Sequence, residues 1–265
     1  MKTADFFHTH PVFSLSQAER ELAPTGGRTG TVERMKYHLR TGRLKLVTRG
    51  VYAVVPPGLP VDRFQPDPFL VASTIRPDGV FSYYSALELL GAAHSVWTRY
   101  TLYVGRRRRP LRLNGSEIRF LDHPGPMHKE SCQDLGVRRV AYRGKILQTT
   151  GPERTLVEGF RRPSDMGGLQ ELVNSAGGFS VLDIGLLREI LQCYNIANLW
   201  AAVGWFLEHF RETFHVPNGV LGQLAQYCPK APQYLERNRR DGVLVKQWNL
   251  LLPNELVHFG GPDEH

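Results

Sequence analysis

Residues 29–55 place a helical period directly before a β-strand period, and this constrains the fold more than any other feature of the chain. From Thr29 or Thr31 to Thr41, the apolar residues Val32, Met35 and Leu39 recur at helical spacing. Gly42 stops the pattern. Leu44-Lys45-Leu46-Val47 and Val51-Tyr52-Ala53-Val54-Val55 then flank Thr48-Arg49-Gly50, and Pro56-Pro57 ends the run. Two short β-rich runs about a glycine-containing turn predict a hairpin. Upstream, Ser16-Gln17-Ala18-Glu19 has the form of a capping box. Ala18 and Leu22 give the following short helix a small apolar face, and Ala23-Pro24-Thr25-Gly26-Gly27 reads as a turn.

Helix, turn, polar-faced helix and basic hairpin together describe a winged helix-turn-helix over residues 1–57. In that arrangement the second helix enters the DNA major groove with its N-terminal residues near base edges. Arg34, Tyr37 and Thr41 fall opposite the apolar face, flanked by His38 and Arg40. These positions, with Thr29 and Thr31 at the helix start, are expected to read bases through Arg34, Tyr37, Thr41 and the two threonines. Lys36, Arg40, Lys45 and Arg49 are expected to hold phosphates, with Thr48 beside them in the turn. A winged helix used for protein contacts has the same topology. The Arg/Tyr/Thr-rich face, with the one acid Glu33 near it, favours DNA.

The charge agrees on the place. The net charge of +8 divides into 9 basic and 4 acidic residues over 1–60, 15 and 10 over 61–160, and 9 and 11 over 161–265. The positive balance therefore lies in the first 160 residues, where a polyanion is expected to bind.

Residues 58–68 hold prolines at 60, 66 and 68, after Pro56-Pro57, and read as a semi-rigid linker. Beyond it, residues 69–265 form the expected larger domain. A helix is expected over Phe69–Ile75, and Ser82 or Ser85 is expected to cap another at Ala86–Leu90. Strands are expected at Tyr100–Val104, Glu117–Leu121, Arg138–Tyr142 and Lys145–Gln148. Thr150 and Glu153 have the spacing of a second capping box, with Pro152 in the first turn. After Gly167-Gly168 the pattern becomes helical. Asp183 is expected to cap one helix, and Ile196, Leu199, Trp200, Val203, Leu207 and Phe210 form a packing stripe on another. The fold class is α+β: an N-terminal winged helix-turn-helix, then a larger mixed α/β domain with a helical C-terminal part.

Arg106-Arg107-Arg108-Arg109 follow an expected strand, with Arg112 nearby. Adjacent side chains diverge, so the four cannot all face one groove. The run reads either as a solvated loop or as a phosphate-contacting patch that lengthens the DNA footprint.

Several stretches, taken in order, resemble the AbiEi family of antitoxins. Val32-Glu33-Arg34-Met35-Lys36-Tyr37-His38-Leu39-Arg40-Thr41-Gly42-Arg43-Leu44, with Arg49-Gly50-Val51-Tyr52-Ala53-Val54, looks like the family's N-terminal domain. Tyr84-Ser85-Ala86-Leu87-Glu88-Leu89-Leu90-Gly91 resembles the helix that opens its second domain. Thr150-Gly151-Pro152-Glu153-Arg154-Thr155-Leu156-Val157-Glu158 is similar to its central helix, and Val203-Gly204-Trp205-Phe206-Leu207-Glu208 to a late one. The resemblance implies a repressor of its own operon promoter, bound at inverted repeats in double-stranded DNA. It also implies the antitoxin of a type IV pair whose toxin is nucleotidyltransferase-like and is not neutralised through a tight complex.

No GxSxG, P-loop, HExxH or GxGxxG occurs. His8 and His10 lie in an N-terminus expected to be mobile, and His123 and His128 flank a Pro-Gly-Pro turn without a ligand pattern. Cys132, Cys193 and Cys228 form no CxxC pair and leave one over, so they read as small buried or neutral residues. No enzyme, metal or cofactor is expected. The N-terminus lacks a signal-peptide pattern and no apolar run reaches the ~20 residues of a bilayer span, so a cytoplasmic protein without a membrane partner is expected. Two other readings stand beside the antitoxin: a stand-alone ligand-responsive transcription factor, and a nuclease targeted by the winged helix.

Overall fold

The computed structural model describes residues 2–22, 26–236 and 241–257. The chain runs α1 (Thr3–Thr9), β1 (Val12–Ser14), α2 (Leu15–Leu22), α3 (Gly27–Arg40), β2 (Leu44–Thr48), β3 (Val51–Val54), α4 (Pro68–Ile75), β4 (Val80–Phe81), α5 (Tyr84–Leu89) and β5 (Arg99–Tyr103). It continues through β6 (Leu111–Leu113), β7 (Ser116–Leu121), α6 (Gly125–Lys129), β8 (Val137–Tyr142), β9 (Lys145–Thr150), α7 (Pro152–Arg161), α8 (Leu169–Gly177) and α9 (Ile184–Tyr194). Last come α10 (Ala197–His209), α11 (Asn218–Ala225), β10 (Gln233–Tyr234), β11 (Val243–Val245), β12 (Leu250–Leu252) and α12 (Asn254–Val257). The fold is α+β. Contacts divide it into two compact units, one of residues 1–80, 98–122 and 141–147, the other of 81–97, 123–140 and 148–265.

At the front of the first unit, α1 to α3 cover a three-stranded sheet of order β1-β3-β2. β3 pairs antiparallel with both neighbours, Val12 facing Ala53 on one side and Lys45 facing Ala53 on the other. Phe6, Phe7, Phe13, Ala18, Leu22, Met35, Leu44 and Tyr52 form one core, with Leu15, Leu39 and Val54 packed against it. Burying three phenylalanines in so small a front is what fixes its helices, since each is worth roughly 1.5–3 kcal/mol.

This corrects the sequence reading of the N-terminus. Residues 3–9 are a helix that buries Phe6 and Phe7, and the ring of His10 stacks on Phe6 at 4.5 Å. The expected cap also moves. α2 begins at Leu15, and the hydroxyl of Ser14, not Ser16, accepts from the Gln17 amide at 3.1 Å. Of the expected turn at 23–27, residues 23–25 lie outside the described residues.

α4 links the parts of the first unit. Asp67 caps it through the amides of Phe69 and Leu70, with Pro68 at the helix start. The helix packs on β1 and β3 and also on β5 and β7. β5 and β7 run parallel, Arg99 beside Glu117, and β6 is antiparallel on the far side of β7.

In the second unit, α7 is the central helix, buried from Pro152 to Phe160 and packed on α5, α8, α9 and α10. Thr150 does not cap it, contrary to the expectation from its spacing. Gly151 stands at the cap, and the Thr150 hydroxyl bonds to that of Thr155 at 2.7 Å. Glu153 instead binds Arg138 at 3.1 Å and accepts from the Asp183 amide at 2.9 Å. α5 likewise has no side-chain cap, since Tyr83 stands at the cap, with Ser82 before it and Ser85 inside the helix. Asp183 does cap α9, accepting from the Leu186 amide at 3.0 Å. Of the expected stripe, Leu199, Trp200, Val203 and Leu207 on α10 are buried, while Ile196 and Phe210 are half-buried at the two caps, and Phe206 adds to the core. β12 lies between β10, parallel to it, and antiparallel β11.

Candidate nucleic-acid interface

α3 is amphipathic, but its inner face differs from the expected one. Thr31, Met35 and His38 are buried at i, i+4 and i+7, and Val32 and Leu39 are only half-buried. Thr29, Glu33, Lys36, Tyr37 and Arg40 are all exposed and share the opposite stripe by the same spacing. Tyr37 is 55% exposed, a large aromatic surface that nothing in the fold requires. Arg34 lies half-buried at the side of this stripe, and Thr41 is exposed just past the helix end.

Thr31 cannot read bases. It is fully buried, and its hydroxyl donates to the Gly27 carbonyl at 3.0 Å. Its place in the core stripe follows from its position four residues before Met35. Thr41 donates to the His38 carbonyl at 3.3 Å while remaining exposed, so its hydroxyl oxygen can still accept.

His38 lies under the surface stripe, edge-on to Phe7 at 4.9 Å. Burial first, then the charges of Arg43 and Arg34, push its pKa down from the ordinary histidine value. These effects favour its neutral form, and its ring packs under the stripe. Lys36 and Glu33 pair at 2.7 Å with both side chains about 60% exposed. A pair so exposed contributes at most about 1 kcal/mol, so Lys36 can leave it for a phosphate at small cost.

The hairpin after α3 turns through Arg49-Gly50, with Thr48 opposite Val51 and a register shift between Leu46 and Thr48. Gly50 has φ +76, which glycine adopts without strain, and its carbonyl accepts from the Leu15 amide at 2.8 Å. This bond fixes the turn to the start of α2. Arg49 projects exposed from the tip, and Thr48 is half-buried.

Lys45 departs from its expected role as a phosphate ligand. Its Nζ donates to the Phe64 carbonyl at 2.5 Å, holding the proline-rich stretch against the hairpin. The same stretch brings Val61 against Gly42, whose φ of +70 strains any side chain and whose Cβ would stand 3.3 Å from Val61 Cγ2.

Arg106–Arg109 lie on an exposed loop between β5 and β6. The loop is built, not loose. Arg76, at the end of α4, donates to the Arg106 carbonyl and pairs with Asp78, whose carboxylate also accepts from the Gly105 amide at 3.3 Å. The Arg76 guanidinium holds the Asp78 carboxyl at about 2, well below the usual range. Arg108 lies over the Phe120 ring at 5.2 Å, so its stem is directed along β7. α4 thus packs on β1 and β3 and carries the residue that clamps this arginine loop.

Among solved structures, the chain is similar to the RV2827C protein from Mycobacterium tuberculosis, with a TM-score of 0.59 and 16% identity over 91% of this chain and 86% of that one. That likeness is one of fold. No family model and no curated protein matches the chain.

Two groups escaped the sequence reading. Arg28 is exposed at the start of α3, paired with Glu19 at 3.3 Å. Arg43 is exposed just past its end, with its guanidinium 5.7 Å from the Phe7 ring centre. The signal for both was simple, since basic residues flank the expected helix at each end. Among the described residues no group of three or more His, Cys, Asp or Glu is placed to hold a metal, and no helix is long and apolar enough to cross a membrane.

Proposed function

We propose that this protein is a sequence-specific DNA-binding repressor, and that its front, α1 to β3, works as a winged helix-turn-helix. The observation that carries the reading is the exposed stripe of α3, where Thr29, Lys36, Tyr37 and Arg40 stand together with Arg34 beside them and Arg49 on the hairpin tip. In this reading α3 enters the major groove, with Arg34, Tyr37, Thr29 and Thr41 toward base edges. Lys36, Arg40, Arg49 and the added Arg28 and Arg43 meet phosphates. Thr48 is half-buried and contributes through the shape of the turn.

The arginine loop extends this footprint. Its support is the Arg76–Asp78 clamp, which fixes the start of the loop at Gly105 and Arg106 in the same unit as α3. A fixed cluster loses less conformational entropy on meeting phosphates than a loop that must first be ordered.

The antitoxin role rests on the resemblance to the AbiEi family. It places the protein beside a nucleotidyltransferase-like toxin, with repression of their shared promoter as the DNA-binding activity and without a tight toxin complex. A footprint on the DNA upstream of the protein's own gene tests the repressor, with protection of inverted repeats expected and no protection at moderate salt opposing it. Co-expression with an adjacent nucleotidyltransferase-like reading frame tests the antitoxin, which is expected to restore growth.

One observation favours the ligand-responsive reading. The second unit holds an open cavity of about 950 Å³ lined by groups including Arg161, Asn198, Leu199 and Tyr234. A small molecule that shifts operator affinity, and loses that effect on Asn198→Leu, would assign it.

A further inference from the structure

Two cysteines far apart in sequence meet in the second unit. The Sγ atoms of Cys132 and Cys193 lie 2.8 Å apart, with the Cys193 thiol donating toward Cys132. Both are half-buried, so a small oxidant can reach them. A disulfide needs the sulfurs to close to about 2.05 Å, a movement of less than 1 Å. The pair does not suit a metal, because no third His, Cys, Asp or Glu is placed with it among the described residues.

The two sulfurs sit on built elements. Cys132 is held in the turn after α6, its amide on the Met127 carbonyl at 2.8 Å and its carbonyl accepting from Leu135 at 3.0 Å. Cys193 lies in the last turn of α9, which packs on α6. The same turn supplies the carbonyls of Gln133 and Leu135 that accept from Arg154 Nη1 at 2.5 and 3.0 Å. A bond between the sulfurs therefore ties α9 to the loop that seats the buried arginine of α7.

We propose that Cys132 and Cys193 are a reversible redox modification site that closes to a disulfide with a hydroperoxide as oxidant. The reluctance of Cys193 to ionise sets the order of events. Burial first and then the Cys132 sulfur push the Cys193 thiol up to about 12, so Cys193 is the resolving sulfur and Cys132 the attacking one. The Cys132 thiolate attacks the peroxide, the O–O bond breaks, and the alcohol or water leaves with a proton. This forms a sulfenic acid at Cys132. The Cys193 sulfur then attacks the sulfenic sulfur, the S–O bond breaks, and water leaves with the Cys193 proton. In total two thiols and one hydroperoxide give one disulfide, one alcohol or water and one water. The sulfurs lose two electrons and the peroxide gains them. A dithiol reverses the bond by exchange. Cys228 takes no part. The site stands apart from the DNA-binding reading.

The test uses the reduced full chain treated with hydrogen peroxide, then alkylated under denaturing conditions and mapped by peptide mass spectrometry. A peptide pair joined through Cys132 and Cys193 is expected, with Cys228 alkylated and the bond removed by dithiothreitol. The oxidised form should melt several degrees higher, because a cross-link across 61 residues constrains the unfolded chain. Cys193→Ser should accumulate a dimedone adduct at Cys132 that wild type lacks, a readout that does not depend on the melting shift. Full alkylation of all three thiols after treatment, or equal dimedone labelling of Cys132 in both proteins, would overturn the proposal.

Discussion

Lys36 Nζ stands 2.7 Å from Glu33 Oε1 on the exposed stripe of α3. The acid sits where a phosphate or a base edge would lie in the proposed complex, and its removal should help binding of any duplex. Glu33→Gln is expected to tighten binding to random DNA about two- to fivefold, from a pair worth at most ~1 kcal/mol. Titrations of a scrambled duplex at several salt concentrations check this. Unchanged or weaker binding would move the DNA off this face.

The arginine loop gives a second prediction. Replacing Arg106–Arg109 together by serine should lower the slope of log affinity against log salt by up to about one per lost phosphate contact. Arg76→Ala, which leaves the four arginines but removes their clamp, should weaken binding less and leave most of the slope. A quadruple variant with the wild-type slope would make the loop a solvated surface.

Lowered histidine pKa values make the fold acid-sensitive. His38 binds its proton less readily in the folded chain than unfolded, because burial, Arg43 and Arg34 oppose the charge. Between its folded pKa and about 6.5 the unfolded chain holds more protons, so stability falls as pH drops through that window. His123 and His209 act with the same sign, chiefly through burial. Melting curves from about pH 7.5 to 5 should show the decline, smaller in His38→Leu. An identical decline in that variant would assign the effect elsewhere.

Gly204 explains one of the stretches that the sequence offered only as a pattern. A Cβ there would stand 2.1 Å from the Trp248 ring, whose indole N–H donates to Glu208 at 2.7 Å. Gly204→Ala should cost about 1–3 kcal/mol by overpacking. Adding Trp248→Leu should recover part of the loss in a double-mutant cycle, and strict additivity would mean the two residues do not interact.

Arg154 and Glu158, both fully buried, pair at 2.7 Å, and Tyr194 donates to the same carboxylate at 2.7 Å. Arg154→Met is expected to cost about 3–5 kcal/mol by removing the guanidinium paired with the buried Glu158 carboxylate. The double variant Arg154→Met/Glu158→Leu should be more stable than the single one, as chemical denaturation would show.

What the sequence revealed and what it concealed divide along physical lines. The hairpin at 44–54 was readable because two β-rich runs flank a glycine turn, and the α10 stripe because its apolar residues repeat a helical period. Asp183 was readable because its carboxylate makes the local bond that its position offers, to the Leu186 amide. Thr150 and Glu153 matched a capping spacing equally well, but Arg138 and the Asp183 amide claim the glutamate, and no local pattern carries that. α1 is too short for its two phenylalanines to reveal a period. Thr31 and Lys45 looked like surface groups, yet burial against the core and the Phe64 carbonyl take them away from DNA. The cysteine pair was concealed for the simplest reason, since a separation of 61 residues leaves no spacing to recognise.

The central claim is that the α3 stripe reads sequence while the hairpin tip holds the backbone. Affinities of wild type, Arg34→Ala and Arg49→Ala for a footprinted upstream site and for its scrambled duplex, at one salt concentration, test it most directly. Arg34→Ala should lose about 1–3 kcal/mol on the site and little on the scramble, so that the ratio between them collapses, while Arg49→Ala weakens both alike. Equal losses on both duplexes for both variants would contradict this division of roles.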